Sequence, residues 1–369
     1  MTLRILHIIT TLGSGGAEKM LVDLVIEMKK QDVICDVAVL TKKTDFFSEK
    51  LLEHGVKVYW GPTKKVYSVQ NILFIRSILK ANQYDIIHTH LFATQLYTPI
   101  AMKSLFSNTK LVTTEHNTHN KRRDNRLFFL LDRWMYKKYD KIIAISKATK
   151  DSLNSFLKET ESKTVIIENG IDLQQYELAT TIDRTSLVSS LTEKDKIILM
   201  VAAMREQKDH ETLIRASKTL PEDYLVMFVG DGERMDEVKE YAKNYGSSRI
   251  HFLGKRTDVP SLMKAADIFV LSSRWEGFGL VAVEAMAAGL PVIVSDVPGL
   301  RDVVKDAGGT LFEAGDEQDL SKKILTIADS SSILETNFCI DKYSILNTAS
   351  EYLDVYNDLN SPRKGNSIL

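Results

Sequence analysis

Two cysteines, Cys35 and Cys339, are too few for a disulfide framework or a cysteine-rich zinc site, and they fit a reducing cytoplasm. Seven prolines and 18 glycines in 369 residues exclude collagen-like and low-complexity architectures. The tripeptide Asp-x-Asp, a common carboxylate seat for a divalent cation, is absent. No apolar run is long enough to cross a membrane. The best candidate, residues 278–295, carries Glu284 and a Gly-Leu-Pro break. Ile5–Leu12 follows Arg4 but contains His7 and meets a glycine cluster, so no secretory signal is expected. Net charge is also scarce, at −1. It conceals a split: residues 1–171 hold 26 Lys+Arg against 17 Asp+Glu, while the remainder holds 22 against 32. The basic half can face an anionic partner such as a membrane surface, or the halves can simply be two domains with unlike surfaces. Near-neutral overall charge and the absence of a reading motif argue against nucleic acid.

What the chain does have is 44% hydrophobic residues, ordinary for a globular protein, and length for two domains. Short apolar runs alternate with amphipathic stretches. Strands are expected at Ile5–Thr10, Cys35–Leu40, Lys57–Trp60, Ile86–His90, Leu111–Thr114 and Ile142–Ser146, with helices at Ala17–Lys30 and Ile72–Ala81. The pattern restarts at Lys196. Strands are expected at Ile197–Ala203, Leu225–Val229, Ile250–Leu253, Ile268–Leu271 and Pro291–Ser295, and helices at Glu211–Thr219 and Met235–Tyr245. This predicts two α/β units, residues 1–171 and 172–342, each built as a doubly wound parallel sheet. A last helix and tail, 343–369, is expected to pack back on the first unit. A ligand site between two such units is the default expectation.

Three segments carry chemistry. Gly13-Ser-Gly-Gly-Ala-Glu18 follows the first strand and opens a helix, serving either as an anion seat or as a plain strand-to-helix turn. Arg205 and Lys208 follow a strand end and can clamp a diphosphate or be ordinary loop charges. Glu276-Gly-Phe-Gly-Leu-Val-Ala-Val-Glu284 is the most informative. Its glycines free backbone N–H groups at a helix start, which suits a diphosphate. Glu284 is expected about six residues into that helix, roughly 9 Å along its axis. Two carboxylates so separated can each take a vicinal diol on a different sugar ring. Glu284 sits among Val281, Val283, Ala285 and Met286, where a charge needs a partner.

Glu276-x7-Glu284 with its Gly-Phe-Gly core resembles the signature of the retaining glycosyltransferases of family 4, which have the GT-B fold. Gly13–Glu18, Asp85-Ile-Ile-His-Thr-His90, Thr114-Glu-His116-Asn, Asn169-Gly-Ile-Asp172, Arg205/Lys208 and Gly230-Asp-Gly-Glu233 agree with it in order, over about residues 4–305. The resemblance implies two Rossmann-like domains facing each other across a cleft, the first for the acceptor and the second for a nucleotide sugar. It implies that Glu284 binds the ribose and Glu276 the transferred sugar, with Gly277, Phe278, Gly279 and Leu280 beside the diphosphate. Arg205 and Lys208 would neutralise that diphosphate, Gly15 and Gly16 would face it, and His116 would contact the donor sugar. Gly230 falls on the donor side, and Lys255 and Arg256 on the base-binding edge. Glu18, His88 and His90 fall on the acceptor side. His88 and His90 alternate by two at a strand end and point to one face, so packing there and, less readily, a metal pair with no Cys or carboxylate nearby are the other readings.

Without Asp-x-Asp, the cations and the helix start would stabilise the leaving diphosphate with no metal and no other cofactor. The donor implied is a UDP-sugar and the acceptor a glycan or lipid-linked glycan, in cell-surface polysaccharide assembly. A nucleotide-sugar epimerase, a phosphorylase or a non-catalytic sugar-nucleotide-binding protein are the other expectations for such a chain. Finally, residues 121–141 are basic at both ends with an aromatic centre. Leu127, Leu130, Leu131 and Trp134 are expected to be buried. Arg122, Arg123, Arg126, Lys137 and Lys138 would form a patch for the inner face of the plasma membrane.

Overall fold

The computed structural model of the chain describes residues 2–105, 108–120, 123, 125–192, 194–329 and 338–361. It divides into two compact units: Met1–Gly170 with Ile345–Leu369, and Ile171–Ser344.

In the first unit, β1 (Arg4–Ile9), β2 (Ile34–Val39), β3 (Lys57–Trp60), β4 (Ile86–His90), β5 (Lys110–Glu115), β6 (Lys141–Ala144) and β7 (Thr164–Ile166) form one sheet. Their order is β3-β2-β1-β4-β5-β6-β7, and every pairing is parallel. Parallel sheets are covered on both faces, so their strands read as continuous apolar runs. Ile5, Leu6, Ile8 and Ile9 are all buried accordingly. The chain runs outward from β1 to β3, then returns to place β4 on the other side of β1. That reversal makes the carboxyl ends of β1 and β4 a switch point, where open α/β sheets receive ligands.

Register fixes which side chains meet. His7 on β1 stands level with His88 on β4, and His90 with Thr114 on β5. Level residues of parallel strands, and residues two apart, share a face. His7, His88, His90 and Thr114 therefore project to one side. The C-terminal helix Ile345–Asn360 belongs to this unit, and its buried Tyr352 and Tyr356 bond to Thr114 and His88.

The second unit repeats the plan with β8 (Lys196–Val201), β9 (Tyr224–Val229), β10 (Ile250–Gly254), β11 (Ile268–Leu271), β12 (Val292–Ser295) and β13 (Thr310–Phe312), ordered β10-β9-β8-β11-β12-β13. All its pairings are parallel. Its switch point lies between β8 and β11. The loops leaving those two strands, residues 202–209 and 272–279, carry the chemistry.

Several elements go beyond the sequence reading, short helices such as Ser48–Glu53 and Lys147–Phe156 among them. β7 and β13 are three residues each, too short to show periodicity. Helix Phe92–Met102 contains Pro99, which breaks the helical signal.

Candidate functional site

In the second unit, β8 leads through Arg205 into a turn of 3-10 helix, Glu206–Lys208. Asp209 follows with φ 46° and opens helix His210–Ser217. That left-handed residue is held in place: Thr212 Oγ1 donates to Asp209 Oδ2 at 2.7 Å, and Ser272 Oγ to the Asp209 carbonyl at 2.8 Å. Arg274 N–H donates to the Gln207 carbonyl at 2.8 Å, so the two switch-point loops are stitched together.

Glu276 is buried within that seam. It accepts from Ser273 Oγ at 2.7 Å and from Gln207 Nε2 at 3.5 Å, and it pairs with Lys208. The structure thus brings Glu276 and Lys208 together as an ion pair. Arg205, three residues earlier, is exposed. Helix Leu280–Ala287 begins after Gly279, which has φ 85°. A Cβ there would collide with Leu300. Glu284 is the fifth residue of this helix rather than the sixth, so it lies about 6 Å along the axis from Leu280, and it is buried. Phe278 is buried and meets Tyr343 edge-on at 5.4 Å between ring centres. Its side chain is core, which leaves its backbone for any ligand. Gly230, with φ 139°, ends β9 where a Cβ would strike the Ala202 carbonyl, so backbone meets backbone at this corner.

The base-binding assignment divides. Lys255 is exposed, whereas Arg256 makes a bidentate pair with Asp258 at 2.8 and 2.6 Å. That bond holds the Asp258 carboxyl below its usual range.

Gly279→Ala should destabilise the chain by about 1–3 kcal/mol, because the residue needs a positive φ and has no room for a methyl group. Thermal unfolding checks this; an unchanged midpoint would show the loop to be softer than drawn.

In the first unit, Gly15 caps helix Gly16–Lys29 after β1. Thr11 Oγ1 donates to Glu18 Oε1 at 3.0 Å, which orients the acidic side chain over the glycine turn. His116, just past β5, is partly buried, and its Nε2 lies 3.3 Å from His90 Nδ1. His90 Nε2 lies 3.2 Å from His7 Nδ1. His88 bonds Thr114 at 2.8 Å through Nε2 and Tyr356 through Nδ1. His88 and His90 are wholly buried, so direct acceptor contact does not fit them; His90 is linked to the partly buried His116, and His88 to Thr114 and Tyr356. Burial drives the His116 pKa down to about 4 and that of His7 to about 3, and holds His88 and His90 well below the usual range. Among the described residues, the ligand atoms of His7, His88 and His90 lie within 4.8 Å of one another.

The basic stretch also needs correction. Arg123 turns inward, 3.3 Å from Glu115, with its side chain 8% exposed. Arg122 lies outside the described residues, as does the side chain of Arg126. Lys137 and Lys138 are exposed. Leu130 and Trp134, expected in the core, are 63% and 41% exposed, because helix Arg126–Lys137 buries Met135 and Tyr136 instead. No described helix is long and apolar enough to cross a membrane.

Sequence reasoning missed His7, Gln207, Ser273 and Asp209. A histidine inside an apolar parallel strand was a readable signal; the other three acquire meaning only when two loops 65 residues apart in sequence meet.

Two Rossmann-like parallel-sheet units in one chain, with cations and carboxylates at the second switch point, define the GT-B class of sugar-transferring enzymes. Glycosyltransferase Family 4 matches residues 14–175, and Glycosyl transferases group 1 matches residues 183–339. The chain belongs to this family and is a glycosyltransferase. It is 28% identical over 334 residues to the Escherichia coli UDP-Gal:alpha-D-GlcNAc-diphosphoundecaprenol alpha-1,3-galactosyltransferase, covering 84% of this chain and 85% of that one. In fold it is similar to Anabaena HepE solved with UDP and glucose, with TM-score 0.80, 21% identity and coverage of 96% and 99%. A Rickettsia africae glycosyltransferase also gives TM-score 0.80, at 21% identity over 97% and 98% of the two chains.

Proposed function

We propose that the chain is a retaining, metal-independent glycosyltransferase. It would move a sugar from a UDP-sugar to a lipid-linked glycan at the cytoplasmic face of a bacterial membrane, in cell-surface polysaccharide assembly. The observation that carries this reading is the switch-point cluster of the second unit: Glu276 paired with Lys208, Arg205 open to solvent, and Glu284 one helix turn beyond a glycine-built helix start. The E. coli relative takes UDP-Gal and a diphosphoundecaprenol-linked sugar, and the Anabaena neighbour is solved with UDP and glucose; both support the donor, and the first supports the acceptor.

In this reading Glu284 takes the ribose hydroxyls. Arg205, Lys208 and the N–H groups of Gly279 and Leu280 bear the charge that grows on the diphosphate as the glycosidic bond breaks. Glu276 holds the transferred sugar; His116 is a sugar contact of the first unit. The acceptor hydroxyl attacks on the face that the diphosphate leaves, and the departing phosphate oxygen takes its proton. No carboxylate need act as a covalent nucleophile. Glu276 is oriented by three partners, as suits a group that positions a sugar.

The test is nucleoside diphosphate release over a panel of UDP-, GDP- and ADP-sugars, with lipid-linked acceptor, in excess chelator. Transfer from a UDP-sugar at undiminished rate is expected. Activity seen only with added Mg²⁺ or Mn²⁺ would remove metal independence, and free epimerised sugar or sugar phosphate as product would favour another enzyme class.

The membrane part of the reading rests on helix Arg126–Lys137, where Phe128, Leu130 and Trp134 are exposed, with Lys137 and Lys138 exposed at its C-terminal end. Exposed aromatics beside lysines suit an anionic lipid surface, each cation adding about 1 kcal/mol. The chain should sediment with anionic but not neutral vesicles, and a Trp134→Ser, Lys137→Ser, Lys138→Ser variant should stay in solution. Equal partitioning onto neutral vesicles would remove this attachment.

A further inference from the structure

We propose that His90 is a positioning residue that fixes the tautomer of His116, so that His116 carries its proton on Nδ1 and presents that N–H as a hydrogen-bond donor to the bound sugar. The functional consequence rests on the glycosyl-transfer reading; the tautomer itself does not.

A chain of rings runs outward from the buried His7. His7, His90 and His116 are joined Nδ1 to Nε2 and Nδ1 to Nε2, at 3.2 and 3.3 Å. Burial disfavours the charged form of each, so each is a neutral imidazole with one N–H and one bare nitrogen. Only two proton arrangements satisfy both bonds. Either every proton sits on Nδ1 and each ring donates outward, from His7 to His90 to His116, or every proton sits on Nε2 and each ring donates inward.

The far nitrogen of His7 separates them. His7 Nε2 is buried and has no partner among the described residues. Inward donation would leave an N–H there with nothing to accept it, whereas outward donation leaves only a bare lone pair. A buried orphan N–H is the rarer and costlier fault. Protons therefore sit on Nδ1 of His7, His90 and His116. His116 receives at Nε2 and keeps Nδ1–H for the site. A histidine side chain free in water prefers the opposite tautomer, so the buried partner sets the choice.

The ring stack holds the chain in place. His90 stacks on His88 at 4.4 Å, and His7 stacks on both at 5.3 and 5.4 Å. His88 is anchored in turn by Thr114 and Tyr356. The bonding argues against a metal on His7, His88 and His90, because both nitrogens of His88 and of His90 are already bonded.

The test is a long-range ¹H–¹⁵N correlation spectrum of the full ¹⁵N-labelled chain near neutral pH, with His116 assigned by its loss in His116→Gln. Wild-type His116 should show a protonated Nδ1 and a bare Nε2. His90→Phe keeps a ring in the stack but offers neither nitrogen. It should return His116 to the Nε2–H form and lower kcat roughly tenfold, with donor KM unchanged. His90→Gln, whose amide N–H can still donate, should recover most of the turnover and the Nδ1–H signal. If His90→Phe does not fold, the wild-type and His90→Gln spectra decide. A protonated Nε2 on wild-type His116, or stoichiometric zinc bound by the chain, overturns the proposal. Absence of transfer from every donor would count against the glycosyl-transfer reading and leave the spectrum to judge the tautomer alone.

Discussion

Glu276→Gln should lower turnover about 10- to 150-fold while leaving UDP affinity within a few-fold, because Glu276 is assigned to the sugar that moves rather than to the nucleotide that stays bound. The magnitude is that of one lost charge-assisted hydrogen bond, about 1.5–3 kcal/mol. Gln keeps an acceptor for Ser273, which donates at 2.7 Å, so the loop should survive. What it removes is the charge opposite Lys208. A cation relieved of its partner can bind the diphosphate more tightly, so donor KM should hold or fall as kcat drops. Steady-state kinetics, with a thermal-unfolding control, check this. Wild-type kcat in a folded variant would take Glu276 out of the reaction.

Mild acid should unfold the first unit. His7, His88 and His90 are wholly buried, and desolvation pushes all three below the ordinary value of 6.5, His7 to about 3. The unfolded chain takes up protons near pH 6.5, while the folded chain does not. Stability is therefore fully present above that pH and lost as pH falls through it toward 3. A histidine held neutral costs about 1.4 kcal/mol for each pH unit below 6.5, so His7 alone costs about 2 kcal/mol at pH 5, and His88 and His90 act in the same direction. Against the whole stability of a typical domain, about 5–15 kcal/mol, that is a large fraction. Denaturant titrations at pH 7 and pH 5 should show a fall of several kcal/mol. Equal midpoints and slopes would mean that the rings accept protons without unfolding, by opening to water.

Much of this was legible in the sequence because parallel sheets write themselves as apolar runs. Ile197–Met200 and Leu225–Val229 needed no tertiary knowledge to be read as strands. The glycines around Phe278 likewise announced a helix start, and the positive φ at Gly279 is the reason for one of them. What stayed hidden depended on register and on meetings across long separations. His88 and His90 could be put on one face by their spacing, but not opposite His7, a pairing set by β1 lying beside β4. Arg123 looked like part of a basic surface because its partner, Glu115, is drawn near only when the chain turns after β5. Leu130 and Trp134 looked like core because apolar side chains at helical spacing usually are; here Met135 and Tyr136 take the buried side. Arg256 was assigned to a base-binding edge by its place in a loop, and its pairing with Asp258 two residues away was not legible from that place.

The central claim, that the second unit seats a uridine nucleotide sugar between Arg205, Lys208 and Glu284, is tested most directly by calorimetric titration of UDP into the full chain in excess chelator. Wild type should bind. Arg205→Ala and Glu284→Ala should each weaken binding by about 10- to 150-fold, the first through the diphosphate and the second through the ribose. Failure of the wild-type chain to bind UDP, or equal affinity in all three proteins, would contradict the assignment.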